Sequence, residues 1–306
     1  MAIATRALGR TNANVTILGY GAMELRGAPR GPRIADQDAE RLLNAVLDGG
    51  VTLVDTSPDY GRSEELIGRY VSHRRDEFFL ASKCGCPAEP PEDAPPPYPH
   101  DYSPANVRAN VEESLRRLRT DRLDLVQVHM SPTAEQLREN QTVETLQALR
   151  AEGKVRYLGM SGILPNLPDH IGLGVFDVFQ IPYSAVQRDH EDLISDAVKT
   201  GAGTLIRGGA ARGAPSEEKN WSTAPLSQPA GVAQDNWEKA ALDSLLADSG
   251  LSRHEFTLRF TLSHPGLSTT IVGTSSPAHL DSNLTIAEKG PLPADVYEEA
   301  KRRLPR

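Results

Sequence analysis

Residues Ala39–Thr56 read AERLLNAVLDGGVTLVDT, and this stretch decides the fold class. Ala39, Leu42, Leu43, Val46 and Leu47 recur at helical spacing, so one face of a helix is apolar. Gly49-Gly50 stops that helix. A short apolar run, Thr52–Thr56, follows at once. It is continuous rather than alternating, which is how a parallel strand covered on both faces reads.

The same alternation extends in both directions. Further strand-like runs are Thr16–Gly21, Phe78–Lys83, Leu125–Met130, Tyr157–Ser161, Val178–Tyr183, Thr204–Arg207 and Thr269–Gly273, which makes eight in all. Helical stripes lie between them: Val107, Val111, Leu115 and Leu118 behind a Ser103-Pro104 start, Leu193 to Val198 before Gly201, and Leu242, Leu245 and Leu246 before Gly250. Eight such units in one α/β chain predict a (β/α)8 TIM barrel, with residues 1–306 as a single domain. Periodicity does not see closure, so an open sheet stays possible. No G-x-G-x-x-G follows the first strand, which counts against a Rossmann arrangement. The piece around Leu8–Asn12 reads as an N-terminal β-hairpin plugging the barrel bottom.

Two segments break the rhythm. Cys84–Tyr102, after the third strand, is rich in proline and reads as neither helix nor inner strand. It is either a cover over the barrel mouth or an insertion packed outside. Residues 208–234 form a second long polar loop, after the seventh strand. Loops 24–35, 84–104 and 208–236 are the expected substrate-side loops.

Net charge is −8 over 306 residues, which disfavours nucleic acid and anionic membranes as partners. No apolar stretch spans a bilayer, and the start lacks a secretory core. The two cysteines, Cys84 and Cys86, form no disulfide framework and suit a cytoplasmic location. They suggest no metal either, because no second paired cluster supplies the remaining ligands. Trp221 and Trp237 read as core or surface-loop residues, and the basic ending from Lys301 suits the C-terminus of a helix.

In such a barrel the active site lies at the C-terminal strand ends. The second run ends at Asp55-Thr56, with Asp59-Tyr60-Gly61 in its loop; the third ends at Lys83 and the fourth at His129. Each alone is explicable as a solvated charge or a structural hydrogen-bonder. Together they place a carboxylate, an ammonium, an imidazole and a phenol on one rim. A nearby ammonium favours phenolate and lowers a tyrosine pKa. The set suits proton delivery to a developing alkoxide, and it contains no hydride source, so a reductase needs a cofactor.

These residues resemble the aldo-keto reductase superfamily, in particular bacterial members similar to potassium-channel β subunits and aldehyde reductases. The motif Val54-Asp55-Thr56-Ser57-Pro58-Asp59-Tyr60-Gly61, followed by Ser63-Glu64, carries the resemblance, with Lys83 and His129 in step. It implies an NAD(P)H-dependent oxidoreductase that reduces a small-molecule carbonyl substrate. Tyr60 is then the general acid, Lys83 its pKa depressor, Asp55 the partner of Lys83, and His129 the orienter of the carbonyl. The implied cofactor is NADPH, with NADH possible. The alternative is a cofactor-binding redox sensor with negligible turnover; a metal-free lyase or isomerase is a third reading. Oligomeric state is not legible.

The resemblance also implies cofactor contacts: Gly21, Ala22 and Met23 near the nicotinamide ribose, Ser161 and Gln180 at the carboxamide, and Gly208, Ala210 and Gly213 facing the pyrophosphate. Gly273, Thr274, Ser275, His279 and Asn283 hold the adenosine end. Gly162 stands where the family has an asparagine. Arg207 replaces an aromatic ring that stacks on the nicotinamide, and it either stacks there or turns to the pyrophosphate or loop. Ser275 and His279 replace the basic residues of NADP-preferring members, which pulls toward dual cofactor use.

Overall fold

The computed structural model describes residues 2–28, 31, 33–87, 99–210 and 232–305. Strands β1 (Thr5–Ala7) and β2 (Asn14–Thr16) pair antiparallel as a hairpin. The others are β3 (Leu18–Gly21), β4 (Leu53–Asp55), β5 (Phe79–Cys84), β6 (Leu123–Val128), β7 (Val155–Ser161), β8 (Val178–Pro182), β9 (Gly203–Arg207) and β10 (Thr269–Val272). These eight run parallel and close into a barrel, β10 pairing with both β9 and β3. The chain is therefore a (β/α)8 barrel, and the open sheet is excluded. All eight strands differ from the sequence reading by one or two residues at one end or both, and two of these shifts change an assignment. Thr16 belongs to the hairpin, and Cys84 is the last residue of β5 rather than loop.

Strand alternation sorts the side chains into two cores and a rim. Val54, Leu80, Val126, Val128 and Phe179 face outward and pack under the helices. The opposite parity faces the barrel axis: Leu53, Phe79, Ala81, Leu125, Val178 and Leu205 form an apolar inner cluster. A further step of two along the same strands reaches Asp55, Lys83, Gln127, Gln180 and Arg207. The inner face is thus apolar below and polar above, and the polar layer sits at the C-terminal strand ends.

The hairpin seals the other end. Leu8 and Val15 join the inner cluster, Arg10 donates to the Gly201 carbonyl at 2.8 Å, and Tyr157 donates to the Thr11 carbonyl. Gly9 lies at φ +52, and a Cβ there would stand 2.1 Å from the Gly203 nitrogen. Only glycine allows this approach.

Ser103 accepts from the Asn106 amide and opens the helix Pro104–Leu118, as its sequence position implies. Gly250, in the left-handed conformation, ends the helix Leu242–Ser249. Lys301, Arg302 and Arg303 fall in the last turn of the helix Ala294–Arg303. Trp237 is buried in the core against Phe256, whereas Trp221 lies outside the described residues. Among the described residues no helix is long and apolar enough to cross a membrane.

Candidate active site

Lys83 is the largest charged side chain fully enclosed by the barrel. Its Nζ donates to Asp55 Oδ2 and to the Thr56 carbonyl, both at 2.7 Å. The second carboxylate oxygen of Asp55 accepts from Gln127 Nε2 at 2.7 Å and from Gln180 Nε2 at 3.0 Å. Gln180 in turn accepts from Ser161 Oγ at 3.1 Å. One hydrogen-bonded chain therefore runs from Ser161 through Gln180 and Asp55 to Lys83. Burial pulls the Lys83 ammonium down, but Asp55 and Tyr60 outweigh it and hold it above its ordinary value.

Tyr60 stands over this ammonium, with Lys83 Nζ 4.7 Å from its ring centroid. The loop that presents Tyr60 is pinned from both sides. Gly61, at φ +49, abuts the Arg26 carbonyl so closely that a Cβ would lie 2.2 Å from that oxygen. Ser63 Oγ bonds Thr56 Oγ1 at 2.8 Å and donates to the Ala22 carbonyl at 2.9 Å, while Glu64 accepts from Ser82 Oγ at 2.7 Å. The Ser63-Glu64 pair thus braces the loop against β5 and the loop after β3. The net shift of Tyr60 is opposite to that expected from the sequence. Burial raises it to about 12, and Asp55 and Asp59 add to that rise against the pull of Lys83. The phenol is protonated at neutral pH.

His129 lies beside the Tyr60 ring at 6.4 Å, edge to face. Burial depresses its pKa to about 3, so the imidazole is neutral. Its Nδ1 is 3.4 Å from Cys86 Sγ, 3.3 Å from His100 Nε2 and 3.8 Å from Asp59 Oδ2. Burial opposes the charge on Asp59, but the 2.5 Å bond from Ser57 and the nearby Lys83 ammonium leave the carboxyl below its ordinary range. Tyr102 donates to the His129 carbonyl at 2.7 Å. Both described ends of the proline-rich segment, 85–87 and 99–103, thus meet the mouth next to His129; residues 88–98 lie outside the described residues.

The expected cofactor positions line one arc of the rim. Gly21 ends β3, Ala22 is buried, and Met23 is half-buried. Arg207 ends β9, and its charge acts on both His129 and His190, which places it at the mouth. Gly208 and Gly273 are exposed after β9 and β10, and Ala210 is buried. Tyr20 donates to the Thr274 carbonyl at 2.8 Å and ties that segment to β3. Ser275 and His279 are exposed where the helix Pro277–Glu288 begins, a favourable place for a phosphate. Asn283 is buried and its Oδ1 is paired with His254 at 2.8 Å. Gly213 lies outside the described residues. Bare backbone at Gly208 and Gly273, an amide at Gln180 and a helix start suit a dinucleotide.

Three contributors escaped the sequence reading. Gln127 is a polar residue inside the apolar run of β6, a signal that was available. Cys86 and His100 were not so placed, because only folding brings them to His129. Asp59, Cys86, His100 and His129 offer donor atoms all within 4.8 Å of one another, a grouping that spacing along the chain does not show.

Comparison with known proteins agrees with this geometry. The Aldo/keto reductase family model matches residues 17–303. The chain is 28% identical over 295 residues to L-galactose dehydrogenase of Arabidopsis thaliana, covering 92% of this chain and 87% of that protein. It is 26% identical over 290 residues to the oxidoreductase YqkF of Bacillus subtilis, covering 92% and 90%. The structure of the aldo-keto reductase AKR11C1 from Bacillus halodurans, in its holo form, superimposes with a TM-score of 0.83 at 27% identity, covering 99% of this chain and 97% of that one. The chain belongs to the aldo/keto reductase family and is an NAD(P)H-dependent oxidoreductase.

Proposed function

We propose that the protein reduces an aldehyde or ketone to an alcohol by direct hydride transfer, with Tyr60 as general acid. The observation that carries this reading is Lys83 Nζ, bonded to Asp55 at 2.7 Å and 4.7 Å from the Tyr60 ring, at the C-terminal end of the barrel.

When bound, the reduced nicotinamide supplies the hydride. Tyr60 gives its hydroxyl proton to the substrate oxygen as that oxygen becomes an alkoxide. An alkoxide is a far stronger base than a phenolate, so a phenol near 12 still transfers its proton downhill. The Lys83 ammonium stabilises the phenolate left behind, and Asp55 keeps that ammonium charged and in place. Neutral His129 orients the carbonyl oxygen. Ser161 and Gln180 meet the carboxamide; their bonds to each other and to Asp55 couple cofactor placement to the proton-delivering group. Gly21, Ala22 and Met23 would hold the nicotinamide ribose, and Arg207, Gly208 and Ala210 the ring and pyrophosphate; Gly213, assigned to the pyrophosphate by the resemblance, lies outside the described residues. Gly273, Thr274, Ser275, His279 and Asn283 form the adenosine end. NADPH is the proposed cofactor. Use of NADH is supported by Ser275 and His279, which give a 2′-phosphate no permanent cation.

The test follows NADPH and NADH absorbance with a panel of activated aldehydes and ketones. Turnover on some of them is expected. Tight cofactor binding with negligible turnover on all of them would replace this reading with a cofactor-binding sensor.

A further inference from the structure

Four side chains from three loops meet at the mouth, and only His129 among them has a place in the proton delivery described above. Asp59 follows β4, Cys86 follows β5, His129 follows β6, and His100 returns from the far end of the proline-rich segment. Their donor atoms all lie within 4.8 Å of one another. Three separations are tighter: 3.3 Å from His129 Nδ1 to His100 Nε2, 3.4 Å to Cys86 Sγ and 3.8 Å to Asp59 Oδ2. A tetrahedral centre with bonds of about 2.0–2.3 Å sets its donors roughly 3.3–3.8 Å apart. We propose that Asp59, Cys86, His100 and His129 form a four-ligand site for a zinc-class divalent transition metal ion.

The chemistry of the donors selects that class. A thiolate and two imidazoles suit zinc or cobalt and disfavour magnesium and calcium, which prefer oxygen. The thiolate and the carboxylate together balance two positive charges. Binding sends the Cys86 thiol proton to solvent and oxidises nothing. With four protein ligands the ion has no open position, so it acts by fixing the rim rather than by touching substrate. It joins both ends of the proline-rich segment to the Tyr60 loop. It also occupies His129 Nδ1, which leaves the ring proton on Nε2. Cys84 takes no part, since its side chain is buried in the core on the other face of β5.

The experiment adds Co(II) to the chelator-treated full-length protein and records absorption spectra. One equivalent is expected to produce a thiolate-to-cobalt charge-transfer band and the intense visible bands of tetrahedral cobalt, both erased by adding zinc. In Cys86→Ser the charge-transfer band disappears. In His100→Ala the affinity falls at least about a hundredfold, the upper end of the cost of losing even an outer-shell partner. Cys84→Ala keeps the bands, and circular dichroism verifies that each variant is folded. Folded wild-type protein with no charge-transfer band at one equivalent overturns the proposal, as does a band that survives Cys86→Ser. The readout needs no turnover, so the proposed carbonyl reduction stands or fails separately.

Discussion

Lys83 has no route to solvent, and its charge is tolerable only because Asp55 and the Thr56 carbonyl surround it. Replacing it by methionine leaves the Asp55 carboxylate buried with only the two glutamine amides. Lys83→Met is therefore expected to lower the unfolding free energy by about 3–5 kcal/mol, measured by urea denaturation, as breaking a buried pair does. A loss below about 1 kcal/mol would mean that the pair is not buried in solution. Arg207 carries a separate prediction. A guanidinium near the nicotinamide disfavours the cationic oxidised ring, so Arg207→Tyr should raise affinity for NADP+ relative to NADPH. Titration of both forms checks it, and an unchanged ratio refutes it. At this scale the grouping of Asp55, Tyr60, Lys83 and His129 was legible because each lies within a few residues of the C-terminal end of a barrel strand. Cys86 and His100 were not, since sequence spacing says nothing about which loops fold toward each other. The direction of the Tyr60 shift was also out of reach, because it depends on how much burial opposes the nearby ammonium.

The elements were read more completely than their ends. Each barrel strand appears where a continuous apolar run occurs, because strands covered on both faces need apolar residues at every position below the rim. Thr16 was assigned to the first such run but pairs with Thr5 in the hairpin. The apolar pattern continues unbroken from one to the other, so composition alone could not mark the change of partner. The hairpin itself gives a test. Gly9→Ala places a methyl group 2.1 Å from the Gly203 nitrogen at positive φ, and neither backbone can move without disturbing the inner cluster. A loss of about 2–4 kcal/mol is expected from combined strain and overpacking. Cofactor affinity should hold, since the substitution lies at the opposite end of the barrel. Near-wild-type stability in urea would show that the hairpin does not seal the bottom as described.

For the whole molecule, closure of the barrel is what gathers residues far apart in the chain onto one rim, and periodicity could not establish it. Two further buried histidines add a property of the entire fold. Burial depresses His190 and His264 to about 4 from an ordinary 6.5, and each accepts a backbone N–H, from Leu164 and Gly266 respectively, through a ring nitrogen that must stay unprotonated. The unfolded chain takes up these protons below pH 6.5 and the folded chain does not. Their contribution is therefore intact above pH 6.5 and is lost as pH falls toward 4, at up to about 1.4 kcal/mol per pH unit for each group. Thermal unfolding midpoints at pH 7.5 and 5.0 should show a clear drop; equal midpoints would contradict it.

The proposed reduction rests on one protonated phenol held over a buried ammonium at the C-terminal end of the barrel. Single-turnover oxidation of bound NADPH by an activated aldehyde, in the wild-type protein and in Tyr60→Phe, tests that directly. Cofactor affinity should be unchanged and the rate lowered by about 10²–10⁴-fold, the usual worth of a positioned acid. An undiminished rate in Tyr60→Phe would contradict it.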